Sequence, residues 1–472
     1  MLVGKTNHEH FLQWDLLTLS AAIKRKELSP VEVTQQLLQR IDAINAKLNA
    51  YITVFYEDAL QAAVQTEKEM AVGHWKGPLH GIPIALKDVI YTKNARTTMG
   101  SEIYKDFVPD YDAGVVEKLK QAGAIIIGKL NTHQFAYGST GDRSYFGAVK
   151  NPYDLTKITG GSSSGSGAAV AAALCYGALG TDTGGSIRIP ATCCGIVGMK
   201  PTFGRVSKYG VYPLSWTMDH VGPMTRTVLD NAVLLNVLSG YDERDPYSER
   251  TKDEDFTRLI GQSIQGTVIG VPSSYYYDNL DPEVDTKVRN AVEIFKSLGA
   301  RVRVIDVTNL ETIFMAQRLT LSSEAFAVHK DTLEKFPEQY DREVKERLLR
   351  AERIKAHEYV LAQQQRHKAK HAFLRALSDV DVIVTPTLPI LPPNIEQREI
   401  KMKDNTEPVL STLVRLTSPT NFNGFPSLSI PCGFSESGLP IGLQLIGRPW
   451  DEANLYRFAY AFEREVSLPN LI

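Results

Sequence analysis

Thr159-Gly160-Gly161-Ser162-Ser163-Ser164-Gly165-Ser166-Gly167 runs directly into Ala168-Ala169-Val170-Ala171-Ala172-Ala173-Leu174, and Thr181-Asp182-Thr183-Gly184-Gly185-Ser186-Ile187-Arg188 follows. A flexible linker is not followed by a block of small apolar residues. That block reads as a buried helix, so the glycines and serines around it are set against a packed core. Glycine in such a setting marks backbone that must come close to a ligand. Upstream, Gly81-Ile82-Pro83-Ile84-Ala85-Leu86-Lys87-Asp88 carries a lysine at the end of an apolar, strand-like run. A lysine and two serines, with glycines beside both serines, are the parts of an acyl-transfer site that needs no histidine.

Around this centre the chain alternates. Ser29-Pro30-Val31-Glu32 is a capping box with proline at the first helical position, and Leu37, Leu38, Ile41 and Ile44 recur at helical spacing. Strands are expected at 49–55, 81–85, 124–128, 267–271, 301–307 and 380–385, and helices at 113–122, 228–238, 282–298 and 452–463. Segments 427–431 and 441–446 read as a hairpin. Such alternation argues for an α/β fold with a parallel or mixed sheet. Residues from about 336 to 377 read as long polar helices. Their basic residues (Arg342, Lys345, Arg347, Arg350, Arg353, Lys355) are interleaved with Glu343, Glu346 and Glu352, the pattern of a solvated face rather than a nucleic-acid surface.

The bulk properties exclude several classes. The chain has 472 residues, 43% hydrophobic and 22% charged, with a net charge of −2, which gives no long-range attraction to nucleic acid or anionic membrane. No stretch approaches the roughly 20 apolar residues of a membrane span. Met1 to Glu9 lacks an apolar signal core, so a cytoplasmic location is expected. Cys175, Cys193, Cys194 and Cys432 are too few and too scattered for a disulfide framework. The histidines show no metal-binding spacing, and no metal or cofactor is expected. Gly160 to Gly165 has the spacing of a phosphate-binding loop, but Ser166 stands where that loop needs lysine. No GxSxG elbow lies near either serine cluster.

Lysine acts as a general base near neutrality only where burial or a neighbouring positive charge lowers its pKa, and the run before Lys87 supplies burial. Serine is a weak nucleophile until a base takes its proton. Successive glycines at 184 and 185 let N–H groups converge beside the Ser186 hydroxyl. This is an oxyanion hole, in which losing one donor typically costs on the order of 3 kcal/mol. Taken singly, a surface lysine paired with Asp88 and serines capping tight turns compete with these readings.

Gly160-Gly161-Ser162-Ser163, then Gly184-Gly185-Ser186-Ile187-Arg188-Ile189-Pro190, then Cys194-Gly195-Ile196-Val197-Gly198-Met199-Lys200-Pro201-Thr202 together resemble the signature of the amidase signature family. The likeness extends over nearly the whole chain, from Ser29-Pro30 to Gly442-Leu443-Gln444-Leu445-Ile446-Gly447. It implies an amidase signature fold: one domain over 1–472, with a central twisted mixed β-sheet of about eleven strands covered by helices on both faces. An N-terminal helical section would span about 1–65, the signature core about 80–225 and a long polar helical segment about 336–377. It also implies a serine–cis-serine–lysine triad. Residue by residue, Ser186 matches the nucleophile, Ser162 the bridging serine on a cis peptide and Lys87 the base. Lys87 and Ser162 are 75 positions apart, Ser162 and Ser186 are 24. N–H groups of Thr183, Gly184, Gly185 and Ser186 would hold the oxyanion. Asp182 and Arg188 read as an ion pair bracing the loop. Homodimers occur in the family.

Within the family the pattern is similar to the glutaminase component of glutamyl-tRNA amidotransferase, as in Lys200-Pro201-Thr202-Phe203-Gly204-Arg205-Val206-Ser207 and Asp219-His220-Val221-Gly222-Pro223. That component carries an acid before Leu-Thr-x-Pro-x-Asn to hold the amino group of glutamine. Here the aligned position is Val414, ahead of Leu416-Thr417-Ser418-Pro419-Thr420-Asn421, and no carboxylate-binding arginine loop is evident near 325–345. A site without these clamps loses glutamine recognition. The expectation is therefore a stand-alone amidase acting on a small-molecule amide. The alternatives are the amidotransferase glutaminase component, a biuret- or allophanate-type hydrolase, or a non-catalytic binding protein, which the intact triad disfavours. Phe135, Tyr137 and Trp216 are candidates to line an apolar or aryl pocket.

Overall fold

A computed structural model describes residues 10–252, 254–403 and 405–466; the Met1–Glu9 stretch lies outside them. Its strands are β1 (Tyr51–Val54), β2 (Pro83–Lys87), β3 (Ile125–Leu130), β4 (Gly177–Asp182), β5 (Val197–Lys200), β6 (His220–Thr225), β7 (Val268–Pro272), β8 (Arg301–Ile305), β9 (Val382–Pro386), β10 (Glu399–Lys401), β11 (Thr406–Pro408), β12 (Ser427–Phe434) and β13 (Pro440–Ile446). Eleven of them form one sheet in the order β1-β3-β2-β4-β6-β5-β12-β13-β9-β7-β8, and β10 pairs with β11 separately.

The sheet is mixed. β2 runs parallel to β3 and β4, and β7 runs parallel to β8 and β9. The other pairings are antiparallel, including the β12–β13 hairpin expected from the sequence. Every residue of β2, β3, β4, β5, β6, β9 and β13 is buried. Strands without polar alternation need cover on both faces, and the helices supply it. Val228–Leu238 lies against β4, β5 and β6, Pro282–Ser297 against β8, β9, β12 and β13, and Arg188–Cys193 against β5, β12 and β13. Parallel pairing sets the C-terminal ends of β2 and β4 side by side. Lys87 and the loop after Asp182 thus open at the same edge of the sheet.

Two expectations shift. The small-residue block predicts a helix over 168–174, whereas the helix is Ser164–Ala171. Its first turn is made of the poor helix formers Ser164, Gly165, Ser166 and Gly167. The reason is packing: a Cβ at Gly165 would meet Ala50 O at 2.4 Å and Asn131 N at 2.5 Å. The polar stretch from 336 divides into Arg342–Ala351 and Ala356–Ala376, and Leu310–Lys335, a 26-residue helix, precedes it and packs against both. At the N-terminal end, Ser29 caps Pro30–Leu48, accepting from Val31 N at 3.0 Å and Glu32 N at 3.4 Å. All four cysteines are buried free thiols.

Candidate active site

Lys87 ends β2 with no exposed surface, and its Nζ donates to Ser162 Oγ and to Thr181 Oγ1, each at 2.7 Å. Burial pulls its pKa down to about 7 against the opposing attraction of Asp182 and Asp219. The competing partner of the sequence reading, Asp88, is directed elsewhere: it accepts from Thr98 N at 2.8 Å and lies 3.9 Å from Lys129.

The Gly161–Ser162 peptide is cis. Gly161 has to be glycine, because a Cβ there would sit 2.6 Å from Gly141 N and 3.0 Å from Gly138 O. Ser162 O accepts from His133 N at 3.2 Å and from Thr132 Oγ1 at 3.0 Å. Ser163 exchanges hydrogen bonds with the Thr181 backbone at 3.2 Å, and its N–H donates to Ser186 O at 3.3 Å. The two serine loops are thereby fastened to β4 and to each other.

The loop after β4 closes around the Asp182 carboxylate, which accepts from Gly185 N at 2.7 Å and Ile187 N at 3.1 Å. Asp182 and Arg188, both fully buried, pair at 3.0 Å. Burial pushes the Asp182 carboxyl up, but Arg188, with Lys200 and Asn421, holds it below the usual carboxylate range. Arg188 also donates to Thr417 O, Thr420 Oγ1, Ser427 Oγ, Gln444 Oε1 and Asn421 Oδ1. Thr183 Oγ1 donates to Asp219 Oδ1 at 2.6 Å, and Thr417 Oγ1 to Gly184 O at 2.6 Å. One sequence expectation is corrected here. The Gly185 N–H is committed to Asp182, so of the four amides expected to hold an oxyanion, those of Thr183, Gly184 and Ser186 remain.

Ser186, 8% exposed, lines a cavity of about 530 Å³ together with Thr183, Gly184, Tyr137 and Val414. The three aromatic candidates separate. Tyr137 lines this cavity. Phe135 is fully buried in an aromatic cluster, 4.5 Å from His329 and 5.1 Å from Tyr340 between ring centroids, and so belongs to the core. Trp216 lines a neighbouring cavity of about 260 Å³ with Tyr212 and Asp219. The sequence reading missed Thr181, whose hydroxyl is one of the two acceptors of Lys87. It also missed Arg318, Arg347 and Arg350, which reach the Ser186 cavity. Arg347 and Arg350 were assigned to a solvated face, and the interleaved glutamates hid them. Their spacing of three on a helix was the available signal.

The amidase family sequence model, described as Amidase, matches residues 32–456. The chain belongs to that family, whose chemistry is hydrolytic cleavage of a C–N amide bond. It is 41% identical to the GatA-type component of the glutamyl-tRNA(Gln) amidotransferase of Geobacter sp. (strain M21), over 95% of this chain and 96% of that one. A chain from a vestigial protein complex that bears on the evolutionary origins of an s-triazine catabolic enzyme superposes with a TM-score of 0.93 and 32% identity, covering 97% of this chain and all of the other. Native peptide amidase from Stenotrophomonas maltophilia gives a TM-score of 0.85 at 31% identity, over 96% of this chain and 97% of its own. Among the described residues no helix is long and apolar enough to cross a membrane.

Proposed function

We propose that the chain, working as one domain and without partner subunits, hydrolyses a small carboxylic amide to acid and ammonia or amine through an acyl-enzyme on Ser186. Neutral Lys87 takes a proton from Ser162, which takes one from Ser186, and Ser186 Oγ attacks the amide carbonyl carbon. The amides of Thr183, Gly184 and Ser186 hold the oxyanion. The same relay returns the proton to the leaving nitrogen as the C–N bond breaks. Water then hydrolyses the ester and regenerates Ser186, so the cycle consumes only amide and water.

The observation that carries this reading is the fully buried Lys87, 2.7 Å from Ser162 Oγ, with its pKa brought near neutrality. A lysine so tuned matches the requirement for a general base at physiological pH. The identity with the amidotransferase component supports a second reading, a glutaminase that passes ammonia to partners. Against it, Val414 lines the cavity and no aspartate or glutamate does, so the amino group of glutamine finds no counter-charge.

The test is ammonia release by the purified chain from a panel of simple amides, with Ser186→Ala alongside. Fluorophosphonate labelling that depends on Ser186 is expected, with turnover of non-glutamine amides that vanishes in the variant. Turnover of glutamine alone, or only after partner subunits and tRNA are added, would establish the second reading instead.

A further inference from the structure

Arg318, Arg347 and Arg350 all line the Ser186 cavity. Arg347 and Arg350 are three apart on the Arg342–Ala351 helix and share a face; Arg318 comes from Leu310–Lys335, which packs against it. Arg347 lies over the Tyr137 ring at 3.7 Å from its centroid and donates to Tyr137 O at 2.9 Å, which fixes its guanidinium at the wall. Arg318 and Arg350 are exposed, at the cavity mouth, whereas Ser186 is buried.

Three like charges at one opening repel unless something negative joins them, and among the described residues no carboxylate pairs with any of the three. The acids nearby on the same helix are committed: Glu343 to Arg143 and Arg398, Glu346 to Arg342. The opposite wall offers Pro408, Leu410 and Val414, which provide no counter-charge for an ammonium group.

We infer that the substrate is an amide bearing a carboxylate remote from the scissile bond and lacking an ammonium group, that is, the monoamide of a dicarboxylic acid. The arginines hold that carboxylate, for which planar guanidinium forks are suited, while Ser186 attacks the amide carbon. Water is consumed, the C–N bond is cleaved, ammonia leaves, and the remote carboxylate is unchanged. This inference rests on the amide-hydrolysis reading above.

The test compares kcat/KM for malonamate, succinamate, glutaramate and adipamate with that for neutral amides of matched size, such as 4-oxopentanamide for succinamate. Arg318→Gln and Arg350→Gln are measured alongside, with folding checked by thermal melting. At least one dicarboxylate monoamide should be preferred over its neutral match. Each variant should lower kcat/KM for it by about 10- to 100-fold, the loss expected for a hydrogen bond to a charged group, mainly through KM, and leave the neutral amide nearly unchanged. Two results overturn the inference while sparing the amidase reading: neutral amides turned over as well as anionic ones, or variants that slow both equally. No turnover of any amide, with no Ser186 labelling, overturns both.

Discussion

At Lys87 burial favours the neutral amine, while Asp182 and Asp219 favour the ammonium, and the balance falls near pH 7. The base works only when neutral, so kcat/KM should rise with pH through about 7 and level off above it. Asp219→Asn removes a negative charge that stabilises the ammonium and leaves an oxygen to accept from Thr183 Oγ1. The acid limb of the pH–rate profile should therefore move to lower pH; an unmoved or upward-shifted limb would show that Asp219 does not tune Lys87. The neighbouring glycines differ in the same way that their surroundings do. Gly185 has φ +133°, and a Cβ there would lie 2.2 Å from Thr417 Oγ1, whereas at Gly184 the nearest atom would be Gln317 Nε2 at 3.5 Å. Gly185→Ala should lower thermal stability by roughly 1–3 kcal/mol or more and abolish turnover, while Gly184→Ala should melt like the parent. Lys87, Ser162 and Ser186 were legible in the sequence because their motif is contiguous and long. The commitment of the Gly185 amide was not, since it depends on how Asp182 folds back beneath its own loop.

Between elements, Arg188 ties the nucleophile loop to the Ser418–Asn423 helix and to β12 and β13 through Thr420, Asn421, Ser427 and Gln444. Arg188→Leu would leave the Asp182 carboxylate buried without its partner, a change that costs about 3–5 kcal/mol. Denaturant melts should show that loss, and adding Asp182→Asn should restore part of it. A second junction joins three helices. Asp230 accepts from Leu16 N at 3.0 Å and Leu17 N at 3.2 Å, and Glu463 accepts from Val228 N at 2.8 Å. Burial, with Asp230 and Asp15 nearby, pushes Glu463 up to about 7. Between its ordinary value near 4.5 and about 7 the folded state therefore binds more protons than the unfolded one, and this group's contribution to stability falls as pH rises through that window. Glu463→Gln keeps an acceptor for Val228 N without the charge, so its gain in Tm should be larger at pH 8 than at pH 5. Helix Val228–Leu238 was read to the residue from its apolar run behind Thr227. Leu310–Lys335 escaped because its buried positions include Gln317, Thr320, Glu324 and His329, which blur the apolar stripe that periodicity depends on.

Across the whole molecule the α/β class and the covered mixed sheet followed from alternation and resemblance, while the strand order did not. β4, Gly177–Asp182, has two glycines and no strong strand former beyond Thr181, and becomes a strand because β2 and β6 flank it. Tertiary pairing overrides propensity in such a segment. The arginines at the cavity were obscure for a related reason: a surface helix and a cavity wall look alike until the helix is docked. The sheet order also places β12 and β13, near the end of the chain, between β5 and β9. During synthesis, then, Lys87, Ser162 and Ser186 all leave the ribosome long before Thr420, Ser427 and Gln444 exist to receive Arg188. Until residue 444 emerges, the nascent chain carries a charged arginine with its receptors missing and β5 with one edge unpaired. Competence is thus a property of the finished polypeptide, acquired late and at once, and an N-terminal fragment holding the lysine and both serines would be inert.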